Sequence, residues 1–339
     1  MKRRNFMQAG LGLGSGLGLG LGYLPGAQAA SPVVLHWQDI TFTGLGTVMS
    51  IRAAHPSAEA LQMALQRARQ VIAQVEDEMS LFRPSSALSQ LNRDGVLPTP
   101  PAQLLRVLQL SQRVAQHSQG AFDVTVQPLW QLYAQAQKEG RLPSAQEVAQ
   151  AQRRVGWQHL EVAPTHITLR QPGMGVSLNG IAQGYAADAV KASLKRDGVQ
   201  HALINTGEWS AIGLADGQRP WTLGIANPRV GEHPAKPWIS RVAMQGLSVA
   251  TSADDQCTFS DDRVHHHIFN PHTGYSPQDM ASVTVAAPSC ALADALTKVL
   301  FVGGYAQALH LAKAWGVSAL VVKKTGEWQV TDTWGRVAA

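Results

Sequence analysis

Cysteine is nearly absent, with Cys257 and Cys290 the two representatives in 339 residues. So few exclude a scaffold held together by disulfides, and the lack of any CxxC pair or finger-like spacing excludes a structural zinc module. The two either form one disulfide in an oxidising compartment or stand as independent buried thiols. An excess of one charge is lacking too. The chain carries 28 basic and 23 acidic residues, and Lys2, Arg3 and Arg4 fall in an N-terminal leader, so the remainder is close to neutral. That leaves no electrostatic footprint for nucleic acid. A membrane-length apolar run is also missing. Ala9 to Leu24 is apolar but short and broken repeatedly by glycine, which makes a poor permanent span. No cysteine stands where a lipid attachment would need one.

What is present is an ordinary globular composition, 45% apolar and 15% charged, on a chain long enough to bury a large core. Ahead of it, Lys2-Arg3-Arg4-Asn5-Phe6-Met7 opens the leader, and Pro25-Gly-Ala-Gln-Ala29 supplies the small-x-small pattern of a cleavage site. The expected division is a signal peptide over 1–29, cleaved after Ala29, and a single domain over 30–339, located in the periplasm. The paired arginines and the modest hydrophobicity match a twin-arginine export signal, with a general secretion signal as the alternative.

Val33 to Ala53 alternates as two strands around Thr43-Gly-Leu-Gly-Thr47. Ser57 caps a long helix reaching Met79, with Leu61, Leu65, Ala68, Val71, Ile72, Val75 and Met79 on its period. Ser85 to Asn92 reads as a short capped helix, Pro101 to Gln116 as another, and Gln131 to Arg154 as a polar, helical surface excursion. His159 to Val162 and His166 to Arg170 pair as a hairpin. Strands are expected at 201–207, 221–226, 241–244, 247–251, 282–287, 319–323 and 328–331, and helices at 289–302 and 305–314. Strands and helices intermixed without a strict βαβ repeat predict an α+β or mixed α/β fold in one domain.

The stretch from Met174 to Asp188 is central. Val176-Ser-Leu178 reads as a strand, Asn179-Gly180 as a tight turn, and Ile181 onward as a helix. Glycine at 180 and 184 removes side chains where a neighbour must come close. The first amides of a helix have no internal partner, so a glycine turn feeding one can hold a phosphate or diphosphate; the alternative is a plain turn.

Several separated stretches resemble one family in their order. They are Met79-Ser-Leu-Phe-Arg-Pro84 with its continuation to Asn92, Gly120 to Leu129, Leu178-Asn-Gly-Ile-Ala-Gln-Gly184 to Asp188, Ala202 to Gly207, Val249-Ala-Thr-Ser252, His267-Ile-Phe-Asn-Pro-His-Thr-Gly274 and Ala293-Asp-Ala-Leu-Thr-Lys298. This pattern resembles the ApbE-type FAD:protein FMN transferases over nearly all of the chain beyond the leader. The resemblance implies a single ApbE-like domain of mixed sheets with packed helices. It implies an enzyme that takes FAD as substrate and, with Mg2+, moves FMN onto a Thr or Ser hydroxyl of a periplasmic flavoprotein, releasing AMP. The implied acceptor is the periplasmic domain of a membrane respiratory complex. By position, Leu45, Phe82, Ala121, Phe122, Asp123, Ser177, Gln183 and Ile268 would line the FAD site. The Gly180 carbonyl, Asp294, and Thr297 and Lys298 one turn later would meet the metal. His267 would transfer the proton, with Asp294 beside it in the catalytic set.

The chain departs from the family pattern at four of these places. Ser177 stands where an acid is usual, Gln183 where Lys or Glu is usual, Asn270 where Asp is usual, and Lys298 where a ligating Thr is usual. An ammonium has three donors and no lone pair, so it does not ligate a cation. Three arrangements stay open. The Lys298 ammonium takes the metal's place; or the metal binds through Asp294, Thr297 and Gly180 with Lys298 turned aside; or Asp294 and Lys298 form a surface i,i+4 pair worth about 0.3–0.5 kcal/mol.

His265-His-His267 suggests zinc, but consecutive strand residues face alternate sides, so His265 and His266 are expected at an exposed strand end. Trp209 is either packing or a ligand contact, and Thr251 and Ser252 are either phosphate contacts or a strand end. Beside the transferase stand two other functions. One is a catalytically silent flavin-binding or delivery protein, favoured by Ser177, Gln183 and Lys298; the other is an FAD pyrophosphatase that yields FMN and AMP.

Overall fold

Two strands, β1 (His36–Gly44) and β2 (Thr47–His55), come first among the described residues as an antiparallel hairpin. Leu45 and Gly46 between them have φ of 48° and 76°, the left-handed pair that a two-residue hairpin turn matched to strand twist requires. The computed structural model describes residues 34–229 and 238–338, so the expected signal peptide lies outside the described residues. Helix α1 (Ala58–Met79) follows, with Ser57 accepting the Ala60 amide and Leu61, Leu65, Ala68, Ile72 and Val75 buried on one stripe. Helix α2 (Ala87–Asp94) is capped by Ser86 and ends at left-handed Gly95.

Next in order are β3 (Val96–Pro98), α3 (Ala102–His117), α4 (Gln127–Lys138), α5 (Ala145–Gln152), β4 (Leu160–Val162), β5 (His166–Leu169) and α6 (Ala182–Arg196). The chain continues through β6 (His201–Asn205), β7 (Trp209–Ile212), β8 (Thr222–Ile225), β9 (Ser240–Ala243), β10 (Ser248–Ala253) and β11 (Met280–Ala287). It closes with α7 (Cys290–Gly303), α8 (Tyr305–Ala314), β12 (Ser318–Lys323) and β13 (Trp328–Val330).

One eight-stranded sheet runs in the order β1-β2-β6-β7-β10-β11-β12-β13. Every neighbouring pair in it is antiparallel. Helices α1, α6, α7 and α8 pack side by side across one face, α1 over β1 and β2, α6 over β6 and β7, α7 over β10 and β11, and α8 over β12. The ribbon of β8 and β9 and the turn at Trp334 cover the other face, around Trp221, Ile225, Val242, Met244 and Leu320. Strand β11 is therefore buried at all of its positions. An antiparallel sheet with its helices on one side is an α+β arrangement, which decides between the two options left by the sequence. A small sheet, β3-β5-β4, stands apart from the large one.

Two expectations need correction. The stretch from Gln131 to Arg154 is more than a polar excursion: α4 and α5 bury Leu129, Tyr133, Val148 and Ala151 against Phe259 and Phe269 in a core of their own. No bond joins the cysteines, since Cys257 is exposed and Cys290 is buried in α7. Strands β3 and β7 were not expected.

Candidate active site

Val176 to Leu178 is extended but joins no sheet, contrary to the expected strand. Asn92 of α2 takes the place of a neighbouring strand, its Nδ2 donating to the Val176 carbonyl (2.8 Å) and its Oδ1 accepting the Val176 amide (2.7 Å). The Ser177 amide donates to the Val124 carbonyl (2.7 Å). A side chain thus satisfies backbone groups that would otherwise need a ladder. The start of α6 is also less open than the glycine pattern implies. Ile181 and Ala182 donate to the Leu178 carbonyl (3.0 and 2.8 Å), and the Gly184 amide donates to Asp294 Oδ2 (3.2 Å).

Gly184 is there because α7 crosses against it: a Cβ would lie 2.4 Å from the Cys290 carbonyl oxygen. One turn further on, the Asp188 carboxylate accepts the Cys290 amide (2.9 Å), the Ala291 amide (3.0 Å) and the Ser289 hydroxyl (2.8 Å). A negative charge on the first turn of α7 complements its dipole. Together the two contacts fix α6 against α7 and bring Asp294 and Lys298 beside the Asn179-Gly180 turn.

At that turn opens a cleft of about 150 Å³. Ala121, Phe122, Ile268 and Phe269 form apolar walls, while Ser177, Gln183, His267 and Lys298 present polar groups. A second cleft of about 240 Å³ shares Asn179 and Gln183 with the first and carries Leu45 and Phe82, the latter 74% exposed. The residues named for FAD therefore divide: Ala121, Phe122, Asp123, Ser177, Gln183 and Ile268 line the first cleft, Leu45 and Phe82 the second. The Asp123 carboxylate serves the wall itself, accepting the Thr125 amide (2.8 Å) and hydroxyl (2.7 Å) and the Trp157 amide (2.9 Å). Burial raises its pKa against the pull of those donors.

The floor is polar and buried. Lys298 Nζ pairs with Asp294 Oδ1 and donates to the Asp294 carbonyl (3.2 Å), the two side chains being 18% and 1% exposed. The surface i,i+4 arrangement is thereby removed, and Lys298 is not turned aside. The Thr297 hydroxyl donates to the Asp294 carbonyl (2.6 Å) and bonds the Ser252 hydroxyl (2.7 Å). Glu208 also lies here, just ahead of β7, accepting the Thr251 amide (3.0 Å). Burial and then the Asp294 carboxylate push its pKa well above the usual range, against the Lys298 ammonium and the Thr251 amide. Sequence reasoning passed over Glu208, because a lone acid after Thr206-Gly207 looks like any solvated turn residue.

His267 Nδ1 lies 3.1 Å from the Cys257 carbonyl oxygen. A carbonyl only accepts, so Nδ1 carries the proton and Nε2 keeps its lone pair. Burial holds the imidazole below its ordinary pKa; the Cys257 carbonyl opposes this and the Lys298 charge reinforces it. His266, expected at an exposed strand end, is fully buried instead. It packs edge-on against Phe301 (ring centroids 5.5 Å), accepts the Ile268 amide at Nδ1 (3.3 Å) and donates from Nε2 to the Pro277 carbonyl (3.3 Å). Half-buried His265 packs against Tyr133 with its ring tilted (centroids 5.8 Å). Trp209 packs on the far face of the sheet. Thr251 and Ser252 lie within β10, their hydroxyls bonded to Thr284 (2.9 Å) and Thr297.

The residues present do not fit a magnesium ion. Asp294 Oδ1 is engaged by the ammonium and Oδ2 by the Gly184 amide, while the Thr297 hydroxyl is engaged by Ser252 and the Asp294 carbonyl. Among the described residues no three His, Cys, Asp or Glu side chains gather as a ligand set. A divalent ion about 4 Å from an ammonium would be opposed by roughly 8 kcal/mol at an effective dielectric constant of about 20.

An antiparallel sheet backed by helices, with apolar walls beside an ion-paired ammonium and a neutral imidazole, defines an α+β protein with a mixed apolar and polar cleft. The sequence pattern of the ApbE family matches residues 45–321, and the chain belongs to that family. It is 30% identical over 302 residues to the FAD:protein FMN transferase of Treponema pallidum, covering 82% of each chain. It is 26% identical over 314 residues to that of Escherichia coli K12, covering 88% of this chain and 89% of the other. Among solved structures, the apo form of the flavinyl transferase ApbE of Pseudomonas stutzeri superposes with a TM-score of 0.77 at 26% identity, over 89% of this chain and 97% of that one.

Proposed function

We propose that the protein is an FAD:protein FMN transferase that modifies a flavoprotein in the periplasm. The observation that carries this reading is the neutral His267 in one cleft with the Lys298 cation and the Phe122 and Ile268 walls. Apolar walls suit the flavin ring, and the paired clefts joined at Asn179 and Gln183 suit a ligand of two parts. The names of the relatives support the same substrate.

In this reading the acceptor Thr or Ser hydroxyl attacks the FMN-side phosphorus of the FAD diphosphate. A new O–P bond forms, the P–O bond to the AMP phosphate breaks, and AMP leaves. His267 Nε2 takes the hydroxyl proton, and burial keeps the imidazole ready to accept it at neutral pH. Cationic charge on the floor opposes the negative charge that builds on the diphosphate oxygens. The leader at Lys2-Arg3-Arg4 supports an acceptor outside the cytoplasm, and no helix among the described residues is long and apolar enough to cross a membrane. The acceptor that suits this location is a periplasmic domain of a membrane respiratory complex.

A second reading, a flavin-binding or delivery protein without transfer, is favoured by the Asp294–Lys298 pair where the family pattern expects a metal ligand. Incubating the purified protein with FAD and a candidate acceptor domain separates the readings. A fluorescent acceptor band on a denaturing gel supports transfer. Free AMP without labelling identifies an FAD pyrophosphatase, and bound FAD with neither identifies the delivery protein.

A further inference from the structure

We infer that the Lys298 ammonium takes the place of a divalent cation at the floor of the cleft, so that this protein engages the FAD diphosphate through a tethered charge and holds it without magnesium. The inference rests on the flavin reading of the cleft and goes beyond it in naming the group that meets the phosphates.

The ammonium is held in a defined position. Asp294, almost fully buried, receives it through Oδ1 and through its own backbone carbonyl. An ammonium has three N–H donors; two are used this way, and Lys298 lines the cleft. The stem rests against Gly180, where a Cβ would lie 3.1 Å from Lys298 Cε. Glycine at this turn therefore makes room for the lysine, and the ammonium comes up beside the turn on which a phosphate would rest. Asp294 in turn is held from its other oxygen by the Gly184 amide. The same contacts that aim the lysine occupy both carboxylate oxygens a metal would need. Charge-assisted hydrogen bonds from a lysine to phosphate oxygens are strong and require no ion from solution.

The test measures FAD affinity of the purified full-length protein by flavin fluorescence, in EDTA and in excess magnesium chloride. Wild type is expected to bind FAD in both buffers with affinities within about twofold. Lys298→Thr frees Asp294 Oδ1 and adds a hydroxyl, so its affinity is expected to fall tenfold or more in EDTA and to recover in magnesium; Lys298→Met loses the same tenfold without recovery. Manganese relaxation without FAD supplies a readout independent of the nucleotide: Mn2+ should bind Lys298→Thr and not wild type. A wild type whose FAD affinity rises tenfold or more with magnesium overturns the inference and leaves the flavin reading standing. A wild type that binds FAD in neither buffer overturns both. The wild-type comparison decides even if a variant fails to fold.

Discussion

Replacing Gly184 with alanine should separate the two helices that carry the site. The added Cβ would sit 2.4 Å from the Cys290 carbonyl oxygen, 2.7 Å from its carbonyl carbon and 2.9 Å from Ala291 Cα. All three are backbone atoms, so no side chain can swing away. Restoring contact distances of about 3.5 Å requires α6 and α7 to part by about 1 Å. Overpacking of this kind costs about 1–3 kcal/mol. The same movement stretches the hydrogen bond from Gly184 to the Asp294 carboxylate, now 3.2 Å, and a bond to a charged group contributes about 1.5–3 kcal/mol. Alanine's better helix propensity returns about 1 kcal/mol. The net expectation is a loss of about 1.5–5 kcal/mol. Urea unfolding followed by fluorescence of the nine tryptophans measures it. A midpoint equal to or above that of wild type would refute the close crossing, because only the propensity gain would then remain.

Gly180→Ala should behave differently, since the nearest atom is the flexible Lys298 Cε at 3.1 Å. Stability should fall by less than about 1 kcal/mol while FAD affinity drops several-fold, as fluorescence titration would measure. His267→Ala should lower turnover by about 10²–10⁴-fold with FAD affinity nearly unchanged. In the wild type the base is lost as pH falls through a pKa depressed by burial, so the acid limb of the rate profile should lie below 6.5. Burial of His266 pushes its pKa from 6.5 to about 3. The unfolded chain then binds the extra proton, so this contribution is full above pH 6.5 and is lost as pH falls; by pH 5 the loss is about 2 kcal/mol. His266→Gln should flatten that slope in unfolding midpoints measured between pH 7 and 5.

Elements whose cause is local were legible in the sequence. Ser57, Ser86 and Ser289 cap helices through their own side chains, and α1 keeps an uninterrupted apolar period. The residues of the cleft could be named because their stretches follow a family order, and the fold brings the Gly180 turn, His267 and Lys298 to one place. What the sequence hid depends on distant partners. Val176 to Leu178 alternates like a strand, yet Asn92, far away in the chain, satisfies its backbone. Glu208 looks like a turn acid until β10 closes over it. His266 and His267 are neighbours with opposite surroundings, one against Phe301 and one against the cleft, and only the packing separates them.

Asp188 lies outside the cleft, yet it holds the first turn of α7 through two amides and the Ser289 hydroxyl. Whatever charge the cleft offers to a nucleotide is thus aimed from a remote anchor rather than from its own rim. Chemistry here is tunable at a distance: exchanging the carboxylate for an amide would leave every cleft-lining side chain intact and still alter where the lysine points.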